Sequence, residues 1–387
     1  DVRSDPANCG ACGMDCGVGG VCTGGACDPV IDLETGRYAA CAVRSGGALV
    51  CWGSNFSRQL GTDVDGTFPP VVVPLAEVSD VAVGWEHACA IAFDPTTMRE
   101  EVFCWGSDTR GQLGDGAGTR AEPFTPTRVT FPATPIQVAA GHLHSCALLL
   151  NGTVYCWGQN NFGETGATGG VTIVETPRLQ MSDPSILEIQ AGYHHTCVAH
   201  AGPPYVSCWG NGSSGQIGDG TNTTPQPTPT PVSSSIGTGD HLALVVGVDH
   251  TCSVRTDGLY CWGTASSGQI DTTTTVPALQ STPPGSGPAR DGAASSHTCV
   301  VFGSALYCRG YNHPTAALVP GGPHPLPWTQ VLAAGVRSVS RGTASGFVLS
   351  RLQDGRVVGF GVNDLGQLGV DTGGAASLPV LNEDLTP

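Results

Sequence analysis

Apolar residues along this chain come in short runs separated by turn signals. The clearest case is Ala147-Leu148-Leu149-Leu150, then Asn151-Gly152, then Val154-Tyr155-Cys156-Trp157. Two apolar runs joined by Asn-Gly or Asp-Gly predict a β-hairpin, because these residues accept the positive φ of a tight turn. Asp257-Gly258, Asp354-Gly355 and Gly46-Gly47 give the same signal elsewhere. The load of 56 Gly and 29 Pro in 387 residues points the same way. In a helix interior these cost about 1 and about 3 kcal/mol each, so long helices are disfavoured and an all-β chain is expected.

The hairpins belong to a repeat. Gly-x-x-His-(Thr/Ser/Ala)-Cys occurs at Gly84…His87-Ala88-Cys89, Gly141…His144-Ser145-Cys146, Gly192…His195-Thr196-Cys197 and Gly247…His250-Thr251-Cys252. His297-Thr298-Cys299 is a fifth copy, with Ala294 in place of the glycine. Two weaker copies flank these, Gly36…Cys41 and Gly342…Phe347, the last with Phe at the cysteine position. The anchors 41, 89, 146, 197, 252, 299 and 347 define seven units. Each continues into a second motif: Cys51-Trp52-Gly53, Cys104-Trp105-Gly106, Cys156-Trp157-Gly158, Cys208-Trp209-Gly210, Cys261-Trp262-Gly263, Cys308-Arg309-Gly310 and Gly359-Phe360-Gly361. Then come Gly111-Gln112-Leu113-Gly114 and its counterparts, a Pro-rich stretch, and a run such as Ile136-Gln137-Val138-Ala139-Ala140. Four short strands make a propeller blade, and seven blades close a ring.

Gly-x-x-His-Thr-x-Ala, Val-Tyr-x-Trp-Gly and Gly-Gln-Leu-Gly in this order resemble the repeat of the regulator-of-chromosome-condensation (RCC1) family. The resemblance covers residues 30–387 and implies a seven-bladed β-propeller. Val30-Ile31-Asp32-Leu33 and Ser377-Leu378-Pro379-Val380-Leu381 are then expected to meet and shut the ring. It does not fix a function, because a propeller hosts many activities.

Of 17 cysteines, twelve fall in hairpin pairs: Cys41/Cys51, Cys89/Cys104, Cys146/Cys156, Cys197/Cys208, Cys252/Cys261 and Cys299/Cys308. Each pair sits on adjacent antiparallel strands, within reach of a cross-strand disulfide. Unit seven loses both members together, as bonded partners do. Such a set persists in an oxidising compartment, so an exported, extracellular or cell-surface protein is expected, unlike the intracellular nucleotide-exchange role of the founding family member. Cys9, Cys12, Cys16, Cys22 and Cys27 form a separate segment, residues 1–29, too small for a core and expected to be stapled by disulfides rather than zinc. Asp5-Pro6-Ala7-Asn8-Cys9-Gly10-Ala11-Cys12-Gly13 resembles small Cys-rich modules of secreted bacterial proteins, notably from myxobacteria. The odd count and the start at Asp1 lead us to expect a processed or truncated portion of a longer precursor, its sixth cysteine upstream or in a neighbour.

Charge narrows the partners. The formal net charge is −16, and all 16 basic residues are arginine. Without lysine there is no P-loop lysine and no Schiff base, so no nucleotide or cofactor is expected. The acidic balance opposes nucleic acid and anionic membranes. No stretch of 18 apolar residues is present, so no membrane-spanning helix is expected. No Gly-x-Ser-x-Gly or His-Glu-x-x-His motif occurs, and no catalytic or metal site is expected. Asp63-Val64-Asp65-Gly66, Gly114-Asp115-Gly116 and Gly218-Asp219-Gly220 lack a full calcium register and read as turns. The repeat histidines recur once per unit and read as structural pegs that bond backbone at a strand start; the repeat tryptophans read as blade packing.

What remains is surface. The two residues after each repeat glycine are expected to gather on one rim: Arg37-Tyr38, Trp85-Glu86, His142-Leu143, Tyr193-His194, Val248-Asp249, Ser295-Ser296 and Thr343-Ala344. Tyr38, Trp85, Glu86, His142, Leu143, Tyr193, His194 and Asp249 are the candidate partner contacts, being of types favoured at interfaces or in the same loops. In a secreted bacterial β-lactamase inhibitor of the same propeller family, matching rim loops hold the partner. The first expectation is a non-catalytic extracellular scaffold that associates with itself or a surface structure. The alternatives are a secreted binding module or inhibitor using the rim, and, last, a propeller hydrolase or lyase; an acid–base set out of phase with the repeat would favour the enzyme.

Overall fold

The computed structural model describes residues 4, 6–8, 22–23, 26–63, 66–118, 123–233, 235–283, 286–311, 325–342, 346–370 and 376–381. Seven four-stranded antiparallel sheets follow one another along the chain, each built from consecutive strands. Blade 3 illustrates the build: Pro135–Ala140 innermost, then His144–Leu149, Thr153–Gln159 and Ile173–Ser182 outermost. The His-x-Cys motif opens the second strand and Cys-Trp-Gly closes the third. Their hairpin register sets His144 opposite Gly158 and Cys146 opposite Cys156. The same register bonds all six cysteine pairs, with Cα–Cα distances of 4.0 to 4.1 Å. Apolar side chains meet between neighbouring blades, so each core belongs to two repeats.

The register corrects the sequence frame of blade 7. Phe347 pairs with Gly361, as His144 does with Gly158, so Phe347 stands at the histidine position. Leu349, opposite Gly359, takes the cysteine position. A Cβ on Gly359 would lie 2.6 Å from the Leu349 side chain, so Leu and Gly together fill the space of a cystine. In blade 6 the turn is one residue shorter. Ser295, not Ala294, takes the glycine's place, its amide bonding the His297 carbonyl.

Ring closure also differs from the sequence expectation. Val30–Thr35 is the inner strand of blade 1, whereas Ala376–Leu381 is the outer strand of blade 7 and pairs with Val357–Gly361. Blade 1 already draws its fourth strand from Thr67–Val73, so it has no vacancy for the last run. The ends are joined by interblade contacts instead: the Thr35 amide donates to the Arg341 carbonyl at 2.9 Å, and Trp52 Nε1 donates to the Gln367 carbonyl at 2.9 Å. Leu33, Val50 and Trp52 pack on Phe347, Leu349 and Leu368. Of the first five cysteines, Cys22 and Cys27 are disulfide-bonded on a short two-stranded hairpin; Cys9, Cys12 and Cys16 lie outside the described residues.

Candidate functional site

Separating structural from functional residues begins with what repeats. The histidines of blades 2 to 5 are pegs, but their partners are hydroxyls of the next blade rather than backbone, whereas His297 of blade 6 meets Ser295 of its own turn. His87 Nε2 lies 2.9 Å from Ser145 Oγ, His144 Nε2 2.9 Å from Thr196 Oγ1, His195 Nε2 2.8 Å from Thr251 Oγ1, and His250 Nε2 2.7 Å from Thr298 Oγ1. Thr251 gives its one hydroxyl proton to the Gln216 carbonyl at 3.0 Å, so it accepts from His195, whose Nε2 therefore carries the hydrogen. Burial holds these imidazoles neutral, lowering His87 to about 4 and His144, His195 and His250 to about 3. The repeat glycine makes room for the ring: a Cβ on Gly141 would lie 2.2 Å from His144 Cε1 and 2.6 Å from the Gly192 carbonyl.

Tryptophans peg in the opposite direction. The indole Nε1 of Trp105, Trp157, Trp209 and Trp262 donates to the carbonyl of Gln59, Gln112, Glu164 and Gln216 in the preceding blade, at 2.8 to 2.9 Å. A further set went unnoticed in the sequence, recurring in blades 2, 3, 4 and 6. Asp80, Gln137, Glu188 and Asp291, near the start of each inner strand, accept the amides of Val138, Ile189, Leu244 and Val339 of the next blade at 2.7 to 3.0 Å. The run Ile136-Gln137-Val138 carried that signal.

Against this scaffold the turns after the inner strands stand apart, because their side chains change from blade to blade. The turns are tied in sequence round the ring: the amide of Trp85 bonds the carbonyl of His142, that of His142 the carbonyl of Tyr193, and that of Tyr193 the carbonyl of Gly247. Their rings form one half-exposed stack. Trp85 lies 3.9 Å edge-on from His142 and 4.8 Å from Tyr193, and His142 stacks on Tyr193 at 4.3 Å. His194 meets His142, Tyr193 and Phe162. At the other end Arg37 lies over Trp85 at 3.7 Å, with Tyr38 beside it. Burial, aided by the charges of His194, His87 and Arg37, lowers His142 to about 3, so this stack holds a neutral imidazole. The structure thus brings Tyr38, Trp85, His142, Tyr193 and His194 into one surface across blades 1 to 4. Asp249 in blade 5 borders it, its carboxyl pushed up by burial against the pull of His194. Glu86 and Leu143 stand in the same turns without a ring contact, their carbonyls taking the Ser107 and Gln159 amides. Thr343 and Ala344 lie outside the described residues.

One departure from the repeat feeds this surface. Where blades 2 and 7 carry Gly-Gln-Leu-Gly and blade 4 Gly-Gln-Ile-Gly, blade 3 has Gly163-Glu164-Thr165-Gly166. Glu164 is fully buried and sits 3.2 Å from His194 Nδ1, anchoring that imidazole from beneath. This is an acid–base pair out of phase with the repeat, which the sequence reading had not found. Among the described residues His194 Nδ1 lies 3.2 Å from Glu164 Oε1 and 3.4 Å from Gln159 Nε2, contacts that orient the ring. Among the described residues no group of three or more His, Cys, Asp or Glu side chains is placed to hold a metal ion.

Comparison with known proteins gives the same architecture. Residues 30–59, 78–112 and 136–164 match one form of the regulator of chromosome condensation (RCC1) repeat, and 100–148 and 151–199 match a second. The chain is 29% identical over 206 residues to the human probable E3 ubiquitin-protein ligase HERC4, covering 51% of this chain and 18% of that protein. It is 27% identical over 249 residues to the Arabidopsis thaliana ultraviolet-B receptor UVR8, covering 62% of this chain and 54% of the receptor. It thus spans about half of the receptor and less than a fifth of the ligase. The crystal structure of Prp20p from Saccharomyces cerevisiae, a protein studied for its binding to Gsp1p and histones, superposes with a TM-score of 0.71 at 21% identity, covering 92% of this chain and 86% of that one. By its fold the protein is a seven-bladed β-propeller, and five stretches between residues 30 and 199 are similar to the RCC1 repeat.

Proposed function

We propose that this propeller is a non-catalytic protein-binding module of an oxidising, extracellular setting, and that its partner seats on the aromatic mouth of blades 1 to 4. The observation that carries the reading is the stack Arg37, Trp85, His142, Tyr193 and His194. Its members are half-exposed and differ between blades, whereas the His–hydroxyl and Trp–carbonyl pegs that join blades recur in phase. Large aromatics and arginine in a preorganised cluster supply most of the energy of a typical protein contact. Six buried cystines support the compartment. The test is capture of partners from the culture medium of the source organism by wild type, Trp85→Ala and Tyr193→Ala, with melting curves recorded for each. Loss of one defined partner with melting unchanged is expected; its retention by both variants would overturn the assignment.

A second reading, covalent self-association, rests on one observation. Seventeen is odd, so the cysteines of this stretch of chain cannot all pair with one another, and all fourteen described ones are disulfide-bonded. Native mass with thiols blocked, before and after reduction, separates the two. A ladder collapsing to one chain on reduction supports assembly; a monomer near 39.4 kDa with one free thiol refutes it.

A further inference from the structure

The inner strands all run from the opposite face toward the aromatic turns, so the ring axis has a second mouth where those strands begin. It opens as a vestibule of about 360 Å³ lined by Ile136, Leu148, Leu187, Leu242 and the polar residues Asp80, Gln137, Glu188, His241 and Arg341. Behind it lies a narrow throat of about 20 Å³ that shares Asp80, Gln137 and Arg341 and adds Asp32, Glu34 and Gln190. Ile136, Leu187 and Leu242 are exposed around the opening, and Ile31 of blade 1 holds the corresponding place. Just below this apolar collar lie the carboxyl groups of Asp32, Glu34, Asp80 and Glu188 and the guanidinium of Arg341.

The carboxylates of this mouth are not equivalent. Asp80 and Asp291 cap amides of the next blade, and Asp32 accepts the Leu33 amide at 3.0 Å. Glu188 is satisfied by His241 Nε2 at 2.6 Å, the Leu244 amide at 2.9 Å and Arg341 at 3.2 Å. Glu34 has none of this. It is 8% exposed, lines the throat, and its carboxylate has no hydrogen bond or ion pair among the described residues. At the place Glu34 holds in blade 1, blades 2 and 3 have Ala82 and Ala139, two residues past the capping side chain, so the fold does not require an acid there. The Arg341 guanidinium in the same throat pulls on Glu34 from beyond ion-pair distance but is bonded to Glu188, and a buried carboxylate without a bonded counter-charge is costly, so a further cation would offset it. Burial, with the nearby Asp32 carboxylate, pushes Glu34 well up, and burial raises Asp32, Asp80 and Asp291 despite Arg341.

We propose that this second mouth binds a lysine side chain of a partner polypeptide, its ammonium seated in the throat on Glu34, Asp32 and Asp80 and its methylene stem lying against the collar of Ile136, Leu187 and Leu242. The throat has room for about one water-sized group, which an ammonium matches and a planar guanidinium exceeds. The apolar lining suits four methylenes behind one charge. A lysine of a second copy of this stretch of chain is excluded as the donor, because the sequence contains none. The site lies on the face opposite the aromatic mouth and does not depend on that reading.

The probe is the capped peptide acetyl-Gly-Leu-Lys-Leu-Gly-amide, compared with the same peptide acetylated on the lysine and with its arginine analogue, by saturation-transfer NMR and titration calorimetry on the whole chain. Binding of the lysine peptide alone is expected, with Glu34→Gln weakening it about tenfold or more and Trp85→Ala leaving it unchanged. Leu187→Ser, an exposed change that spares the ring, should weaken it without altering the melting curve, so an effect does not hinge on Glu34→Gln folding well. Equal binding of the acetylated or arginine peptide, no binding of any, or indifference to both substitutions overturns the proposal. So does calcium chloride alone binding in a Glu34-dependent way, which would make the throat a metal site.

Discussion

Thr251→Val removes one hydroxyl from the interior of the ring and changes almost nothing else in volume. Thr251 is fully buried in the second strand of blade 5. It accepts from His195 of blade 4 and donates to the Gln216 carbonyl. With valine, that carbonyl keeps its bond from Trp262 Nε1 at 2.8 Å. His195 Nε2 has no substitute, because Nδ1 of the same ring is already without a partner and the side chain is fully buried. One orphaned buried donor costs about 1–3 kcal/mol and the lost hydroxyl bond about 1 more, so a destabilisation of about 3 kcal/mol is expected. Guanidinium unfolding followed by tryptophan fluorescence, with the disulfides intact, measures it. Thr251→Ser should recover most of the loss. In a His195→Phe background the same change should cost much less, giving a coupling of about 1–3 kcal/mol in the double-mutant cycle. A Thr251→Val protein within about 0.5 kcal/mol of wild type, or a coupling near zero, would refute the peg as an energetic link between blades.

Other consequences follow from the same geometry. The imidazoles of His144, His195 and His250, held near 3 by burial, should show no titration between about pH 8 and 5 in ¹⁵N spectra, and His195 should show the Nε2–H tautomer; a midpoint near the ordinary 6.5 would contradict their burial. Because their folded values are depressed, their contribution is intact above about 6.5 and is lost as pH falls toward 3, about 2 kcal/mol per peg at pH 5. The raised carboxylates of the second mouth act in the opposite sense, favouring the fold at low pH and losing that contribution as pH rises through their folded values, so acid unfolding should be shallower in wild type than in Glu34→Gln. Replacing Cys146 and Cys156 together by alanine should cost about 2–3 kcal/mol, the chain-entropy value for a loop of about ten residues, while intact cystines should resist dithiothreitol until denaturant is added, being fully buried. Gly141→Ala should destabilise by about 3 kcal/mol or more, since its Cβ meets both the His144 ring and the Gly192 carbonyl; a melting curve matching wild type would show that the turn can shift.

The sequence by itself determined the blade. Strand pairs joined at Asn151-Gly152 or Thr256-Asp257 are local, and a cystine such as Cys146–Cys156 needs only a separation of ten residues and a fixed register, so hairpins, cystines and a sevenfold repeat are all readable as spacing. It also placed Trp85, His142, Tyr193 and His194 in equivalent turns, because the residues after the repeat glycine share one position in each unit. Tertiary structure decided what lies between blades. His195 finds Thr251 and Trp262 finds Gln216 at separations of 56 and 46 residues, with direction, forward or backward, set only by how one sheet lies on the next. Blade 7 shows the limit most plainly: spacing put Phe347 on the cysteine position, and only strand register moved it to the histidine position and gave its place to Leu349. The joining of Trp52 to Gln367 across 315 residues, the seat of His194 on Glu164, and the convergence of Glu34, Asp32 and Asp80 on one throat depend on the closed circle. A repeat fixes each residue's place within its own unit, whereas these contacts depend on the angle between units, which only packing of the whole ring sets.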